Sequence, residues 1–448
     1  MDSIWKRTAE TPRFAPLDGD LKTDVLIVGG GLAGLLLFGV YWAQTVGLNR
    51  AGVDCALVEA DRLCGGVTGN TTAKLTFQHG LIYDKLLREF GLEKARLYLE
   101  ANREALGQYR ELCRDGGCDF EERDSYVYAL SDRRKLEREL EALDRLGFRA
   151  EFAKTPALPI PTAGAVRFPK QAQFHPLKFA AAIAKGLRIY EHTKVLELGP
   201  GTAATNHGTV TAEKIVIATR FPLLNKHGGY FLKLYQSRSY VLALENAREA
   251  GGMYVDEGEK GLSFRDYKGF LLLGGGGHRT GKKGGGWREL EDFAKRHYPQ
   301  AKIAARWAAQ DCMTLDGVPY AGRYAKGTEG LYVAAGFNKW GMTSSMAAAR
   351  ALADLVQGKE NPYAELFSPS RSLLRPQLAA NAWESALGLL TPTAPRCPHM
   401  GCALKYNPQE RSWDCPCHGS RFGEDGALLD NPATDDKKNL RTNKEDVL

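Results

Sequence analysis

Apolar residues follow two different periods along the chain, and the changes of period outline the elements. VLIV at 25–28 is an unbroken apolar run between Asp24 and three glycines, Gly29, Gly30 and Gly31. A run of that length, closed by a turn signal, reads as a strand buried on both faces. LLLFGVYWAQTVGLNR at 35–50 keeps apolar residues at helical spacing, so a helix is expected to end near Ala51-Gly52. CALVEADR supplies a second strand that ends in Glu59. Helical stretches are expected at 84–114 and 132–147, and strands at SYVLALE and GFLLLGG. Across 366–396 no alternation is visible, whereas LAANAWESALGLL has apolar residues at helical spacing. No internal repeat or low-complexity segment interrupts the pattern.

Residues 25–48 form a stretch of 24 without a charge, long enough to cross a bilayer. The three glycines inside it and the second strand behind it favour strand, turn and helix, and no membrane span is expected.

Length and composition narrow the function classes. A chain of 448 residues implies two domains or more. With 44% apolar and 25% charged residues the composition is globular. The net charge of +7 comes from dispersed residues. The densest basic run, HRTGKK at 278–283, lies in a Gly-rich turn and reads as a solvated loop, so no nucleic-acid partner is expected. Cys55, Cys64, Cys113, Cys118 and Cys312 lack framework spacing and read as reduced thiols. MDSIWKRTAETPRF has no apolar leader, so a cytoplasmic location is expected.

Two motifs carry chemistry. Gly29, Gly31 and Gly34 form G-x-G-x-x-G between the first strand and its helix, with Glu59 at the end of the second strand. Gly29 permits the turn, Gly31 lets the backbone approach a pyrophosphate, and Gly34 lets helix pack on strand. The phosphates would sit at the helix N-terminus, and Glu59 would accept hydrogen bonds from a ribose hydroxyl. Gly34 and Glu59 are 25 residues apart, against about 18 to 20 in this fold, and an excess of about seven implies a first helix longer by almost two turns. The fingerprint alone says only that a dinucleotide binds.

The second motif is CPHMGC, twelve residues, then CPCHGSRF. Cys397 and His399 form C-x-H, and Cys415 and His418 form C-x-x-H. Two thiolates and two imidazoles suit a [2Fe–2S] cluster in which one iron takes the sulfurs and the other the nitrogens, raising the potential. Zinc remains an alternative, although zinc sites favour C-x₂₋₄-C and H-x₃₋₅-H pairs; a plain disulfide is another.

This segment resembles Rieske proteins of the cytochrome bc type at Cys397, His399, Cys402, Cys415, Cys417, His418, Gly419 and Ser420. The resemblance implies a Cys402–Cys417 disulfide clamping the ligand loops. It also implies a proline loop at Asn431-Pro432-Ala433 and a Ser420 hydroxyl aimed at a bridging sulfide. Two departures stand out. The strands that usually form a β base before the first ligand are short or missing, and Phe422 stands where high-potential members have Tyr.

The rest of the chain resembles FAD-dependent oxidoreductases of the D-amino-acid oxidase and glycine oxidase superfamily, at CGGVTGNTTAKLT (64–76), His192–Val195, 214–222, 307–322 and 330–356. The whole resembles bacterial members that end in a Rieske domain. This implies FAD on Gly29, Gly30, Gly31, Ala33, Gly34, Glu59, Ala60, Gly66, Thr68, Val195, Ala218, Thr219, Gly336, Gly341, Met342 and Thr343. Arg220 stands where the family has Gly. The implied fold is α/β, α+β overall: a Rossmann-like FAD domain with an inserted mixed-sheet substrate domain, then a small C-terminal Rieske segment. Boundaries are expected at 1–362 for the oxidoreductase, with FAD parts near 20–80, 160–225 and 305–360 and substrate parts near 81–159 and 226–304. Residues 363–394 would be a linker and 395–448 the cluster domain.

The implied activity is oxidation of a small amine or amino-acid-like substrate, with electrons leaving singly through the cluster to a partner protein. A non-catalytic flavin and iron–sulfur carrier or redox sensor is the alternative. No catalytic residue is assigned. Gln78, His79, Arg238, Tyr240, His278 and Trp340 are polar or aromatic candidates, each with a structural or surface role as its alternative. Cys312 is not expected to bind flavin covalently.

Overall fold

The computed structural model describes residues 2–47, 53–154, 157–224, 227–258, 261–392 and 395–437, with side chains described outside 41–47. The strand Leu21–Val28 lies between Gly208–Arg220 and Cys55–Val58, parallel to both. Leu331–Ala335 continues the parallel sheet beyond Gly208–Arg220, and Tyr320–Arg323 closes that edge antiparallel. Ile189–Tyr190 closes the other edge. The central strands are apolar on both faces because both are covered. On one side Leu35, Leu36 and Phe38 of the helix Leu32–Gly47 share a core with Met346, Ala347 and Leu352 of the helix Gly341–Val356. On the other side the hairpin of Val195–Gly199 and Thr202–Thr205 packs Val195 and Ala203 on Leu26 and Val28. The first helix is formed as far as Gly47, and its expected end near Ala51-Gly52 lies outside the described residues.

The second sheet has nine strands and is mixed, as expected, with one parallel pair, Glu121–Ala129 and Met253–Asp256. Leu234–Glu245 runs between Phe270–Arg279 and Lys302–Thr314. Its side chains alternate, as a strand with a helix on one face and a domain core on the other requires. Tyr240, Leu242 and Leu244 pack with Leu290 and Phe293 of the helix Gly286–His297. Val241 and Ala243 join the main core. The helices expected at 84–114 and 132–147 are Ile82–Leu112, broken at Gly91, and Arg133–Arg145.

The third sheet is a four-stranded antiparallel meander: Lys405–Asn407, Ser412–Asp414, Arg421–Gly423 and Leu428–Asp430. Its small core joins Leu404, Trp413 and Phe422 to the four motif cysteines. Among the described residues no strand lies between 366 and 395. The helix Pro376–Leu390 stands there instead, as the apolar spacing suggests. Gly388 explains its fit: a Cβ there would stand 2.5 Å from Cys417 Sγ, and its carbonyl accepts the Ala403 N–H at 2.9 Å. Residues 363–394, expected as a linker, are also tied back to the large domain, where the Arg371 guanidinium donates to the buried Asp316 at 2.7 and 2.8 Å.

Candidate functional site

Strand ends of the first sheet, one edge of the second and the cluster segment enclose a cavity of about 920 Å³. Its outer arm is the glycine turn. Gly29 has φ +114, and a Cβ there would stand 2.7 Å from the Ala218 carbonyl oxygen. A Cβ on Gly34 would meet Gly29 O at 2.1 Å, so both positions admit only glycine. Gly31 differs: a Cβ would meet only Thr68 Oγ1, at 3.9 Å, and Gly31 lines the cavity. Leu32 N–H donates to Thr68 Oγ1 at 3.1 Å. Glu59 accepts Gly30 N–H at 2.6 Å and Asp61 N–H at 2.9 Å. Burial raises its pKa against those bonds.

Of the sixteen positions expected to hold FAD, Gly29, Gly31, Ala33, Glu59, Ala60, Gly66, Thr68, Val195, Ala218, Thr219, Gly341 and Met342 line the cavity. Gly30 and Gly34 lie just behind, as turn and helix contact require. Gly336 and Thr343 do not face it. Gly336 is pressed on Thr314 at φ +72. Thr343 Oγ1 donates to Thr76 O at 2.8 Å, because each helical step turns the side chain by about 100°.

The substrate candidates divide in the same way. Arg238 lines the cavity. His79 is buried between Tyr98 OH at 2.7 Å and Thr343 Oγ1 at 3.0 Å, stacked on Trp340, and burial lowers its pKa to about 3. Gln78 Nε2 donates to Val166 O at 2.7 Å. His278 Nε2 meets Tyr240 OH at 2.9 Å behind the cavity wall. Cys312 lines the cavity, and burial pushes its thiol up to about 12, which leaves it protonated.

The inner wall of the cavity comes from the cluster segment, through Gln409, Glu410, Arg421, Asp430, Asn431 and Ala433. The docking is polar and buried. Arg238 grips Glu410 with two nitrogens, and Tyr240 OH donates to Glu410 at 2.9 Å. Arg220 meets Asp430 at 2.7 Å and Asn431 at 2.9 Å. Arg421 bridges Glu410, Asp414 and Asp430 at 2.9 to 3.1 Å. Arg238, read from sequence as substrate-facing or a surface ion partner, is thus a buried one. The run at 278–283 is likewise not a solvated loop. Arg279 donates to Pro416 O and Cys417 O, both at 3.0 Å, and a Cβ on Gly281 would stand 2.6 Å from Pro416 N.

Removing one partner of such a buried pair costs about 3–5 kcal/mol. Arg421→Ala should therefore loosen the cluster segment first, seen as earlier loss of cluster absorbance than of flavin fluorescence quenching on heating. Asp430 adds a pH dependence. Burial alone would raise its pKa, but Arg220, Arg421 and Arg238 prevail and hold it to about 2. A depressed carboxyl contributes stability above its unfolded pKa of about 4, which is lost as pH falls towards 2.

The cluster residues converge between loops. Cys415 and Cys397 thiols hydrogen-bond each other; that bond, against burial and with a further bond from Ser420, lowers Cys397 to about 7. The rings of His399 and His418 stand 5.0 Å apart at 89°. His418 is buried, neither ring nitrogen makes an aligned hydrogen bond, and burial lowers its pKa to about 3. It is thus neutral imidazole, the ligating form. The resemblance-implied Cys402–Cys417 disulfide is formed, and both sulfurs lie within 4.8 Å of Cys415 Sγ. A thiol pair outside the disulfide and a facing imidazole pair are the donor set that fits a Rieske cluster.

Two glutamines tie this loop to the large domain. Gln310 Nε2 donates to Gly419 O at 2.8 Å, and Gln236 Nε2 donates to His418 O at 3.1 Å and Asn431 O at 2.7 Å. Sequence reasoning missed both, with Asp311, Lys339, Glu410 and Asp430. Each looks like an ordinary polar residue of a strand or loop. Only Arg220 carried a signal, as a non-glycine at φ +65 where Gly was expected.

A glycine cradle at a helix N-terminus, a mixed sheet across its mouth and a two-His, two-Cys loop pair define a flavoenzyme joined to a Rieske centre. Residues 24–355 match the FAD dependent oxidoreductase (DAO) family model and residues 383–442 the Rieske [2Fe-2S] domain model. The chain belongs to the DAO family of FAD-dependent oxidoreductases and carries a C-terminal Rieske domain; it is an enzyme that binds FAD and a [2Fe–2S] cluster. It is 32% identical to the Rieske 2Fe-2S iron-sulfur protein YhfW of Bacillus subtilis (strain 168) over 96% of each chain. It is 25% identical to gamma-glutamylputrescine oxidoreductase of Escherichia coli (strain K12), over 78% of this chain and 88% of that one. Glycine oxidase from Geobacillus kaustophilus superposes with a TM-score of 0.65 at 25% identity, covering 79% of this chain and all of that one. Among the described residues no helix is long and apolar enough to cross a membrane.

Proposed function

We propose that the protein oxidises a small amine or amino-acid-like substrate and delivers the electrons one at a time to its own Rieske centre and then to a partner protein. The observation that carries this reading is the shared wall: one cavity is lined by the glycine cradle and by the cluster segment. When bound, FAD supplies two-electron oxidation of a substrate and the cluster supplies one-electron transfer.

The chain's residues take these parts. The Gly29–Gly34 turn and the helix N-terminus behind it would hold the pyrophosphate, with Gly66 and Thr68 beside them. Glu59, Ala60 and Val195 would hold the adenosine end. Ala218, Thr219, Gly341 and Met342 would flank the ring, and Gly30, Ala33, Gly34, Gly336 and Thr343 shape the surrounding backbone. Cys397, His399, Cys415 and His418 would ligate the irons, with the Cys402–Cys417 disulfide holding the loops. Gln310 and Gln236, by fixing Gly419 and His418, set the ligand loop against the cavity. The substrate class is supported by the likeness to glycine oxidase and gamma-glutamylputrescine oxidoreductase. The five thiols outside the cluster segment support a cytoplasmic location.

The test is anaerobic. Adding a panel of amines and amino acids under argon should bleach the flavin and raise the Rieske EPR signal of the same molecules at a rate independent of protein concentration. A cluster that is reduced only in proportion to protein concentration refutes transfer within one chain. Bleaching by no member of the panel would favour the carrier or sensor reading.

Cluster tuning gives a further expectation. Ser420 is fully buried, accepts Ala433 N–H at 3.0 Å, and hydrogen-bonds the Cys397 sulfur. Such a bond stabilises the more negative reduced state. Ser420→Ala should lower the potential and Phe422→Tyr, which adds a hydroxyl in the cluster core, should raise it, both read by protein-film voltammetry.

A further inference from the structure

The cations at the inner end of the cavity are matched by carboxylates from the other domain. Arg220 pairs with Asp430, and Arg238 holds both oxygens of Glu410. Both arginines belong to the large domain and both carboxylates to the cluster segment. Beside the cluster segment the large domain by itself would present Arg220, Arg238 and Lys339 to the cavity against Asp311, the other charged lining residues including Glu59, Asp61 and Arg62 near the glycine turn. A guanidinium fork facing a cavity with that excess of positive charge is a receptor for a carboxylate. Glu410 fills the fork of Arg238, which is only 3% exposed, and Tyr240 and Arg421 hold Glu410 in place.

Asp311 is left in a different state. It lies on the strand Lys302–Thr314 and lines the cavity. Burial raises its carboxyl above the ordinary range, against the pull of Lys339, Arg220 and Arg238 and a hydrogen bond from Ser239, so a cation placed beside it would restore the charged form. Two of those three cations are already neutralised by Asp430 and Glu410, and Lys339 is exposed at the rim. The carboxylate with bonding capacity to spare is therefore Asp311, and its complement is an ammonium group.

We propose that Glu410 serves as a built-in counter-ion that closes Arg238 to substrate carboxylates, and that Asp311 receives the ammonium of an amine lacking an α-carboxylate. The proposal rests on the amine-oxidising reading above and narrows it. Specificity then comes from a residue of the electron-transfer segment, so the cavity acquires its selectivity only when the cluster segment is docked.

The test uses a matched pair of probes on the purified holoprotein. Benzylamine and benzoate are titrated under argon while flavin absorbance is followed. Wild type should respond to benzylamine at a concentration lower by about tenfold or more than benzoate, the scale set by one mispaired charge. Glu410→Gln, which keeps the shape and removes the charge, should bring the ratio to unity or invert it. Asp311→Asn should lose the benzylamine response and keep or gain that to benzoate. The proposal is overturned by wild type preferring benzoate, by no response to benzylamine, or by an unchanged ratio in Glu410→Gln. An unchanged benzylamine response in Asp311→Asn overturns the role of Asp311. Where a variant loses flavin, the wild-type comparison decides. Benzylamine that perturbs the spectrum while no amine bleaches it would refute amine oxidation and leave the charge preference standing.

Discussion

Gly31→Val is expected to leave the protein folded and without flavin. The position has ordinary backbone geometry, and the nearest atom to an added Cβ is Thr68 Oγ1 at 3.9 Å. The fold therefore accepts a side chain, which would project into the cavity where phosphate oxygens must approach the helix N-terminus. Two charge-assisted hydrogen bonds at about 1.5–3 kcal/mol each set the scale of the loss, about 100-fold or more in affinity. Gly34→Val should behave differently, because its Cβ would stand 2.1 Å from Gly29 O and the helix could not pack on its strand. The measurement is flavin content per polypeptide alongside circular dichroism and the Rieske EPR signal. Full flavin occupancy in Gly31→Val would show that this turn does not bind the dinucleotide. A collapsed spectrum would place the glycine in folding instead of binding.

The difference between those two glycines shows what is legible in a sequence. Turn, helix start and ligand spacing are local, so Gly29 to Gly34 and Cys397 to His418 announce their chemistry within a few residues. The docking is not local. Arg238 and Glu410 are 172 residues apart, and Arg220 and Asp430 are 210 apart. Arg238, Glu410 and Asp430 do not differ in their sequence neighbourhoods from solvated strand or loop residues. Arg220 shows the point from the other side: its replacement of a family glycine was visible, while its partner became visible only with the chain folded.

Phase errors are subtler. Gly341, Met342 and Thr343 were expected to act together, and a helix separates them by rotation, so Thr343 turns to Thr76 and His79. The lack of a strand before the first ligand among the described residues has a similar explanation. The alternation was missing from 366–396 because the helix Pro376–Leu390 packs there through Gly388. The remaining support for the ligand loop comes from Gln236, Arg279 and Gln310 of the large domain. A cluster segment with a partner already bound to its ligand loop can dispense with part of its own scaffold.

That dependence sharpens the second large effect, in His418→Ala. The imidazole is buried, and its ring packs edge-on to Phe231 at 6.1 Å. Loss of a direct ligand should reduce cluster affinity by more than the 10–100-fold typical of changes to the groups that orient ligands. The main-chain anchors survive, since Gln236 binds the His418 carbonyl and not the ring. The segment should therefore stay docked by Arg238 and Arg220, and the cavity wall should persist. Flavin content is expected to be unchanged, because the cradle and the ligand loop share no residue. Substrate should still bleach the flavin under argon, while turnover with an external one-electron acceptor should fall to background. Gln236→Ala is the companion variant: it removes the anchor, keeps all four ligands, and should slow transfer without abolishing the EPR signal. A Rieske signal that survives in His418→Ala would show that this histidine is not a ligand. Equal loss of flavin and cluster would show that the two sites do not bind their groups independently.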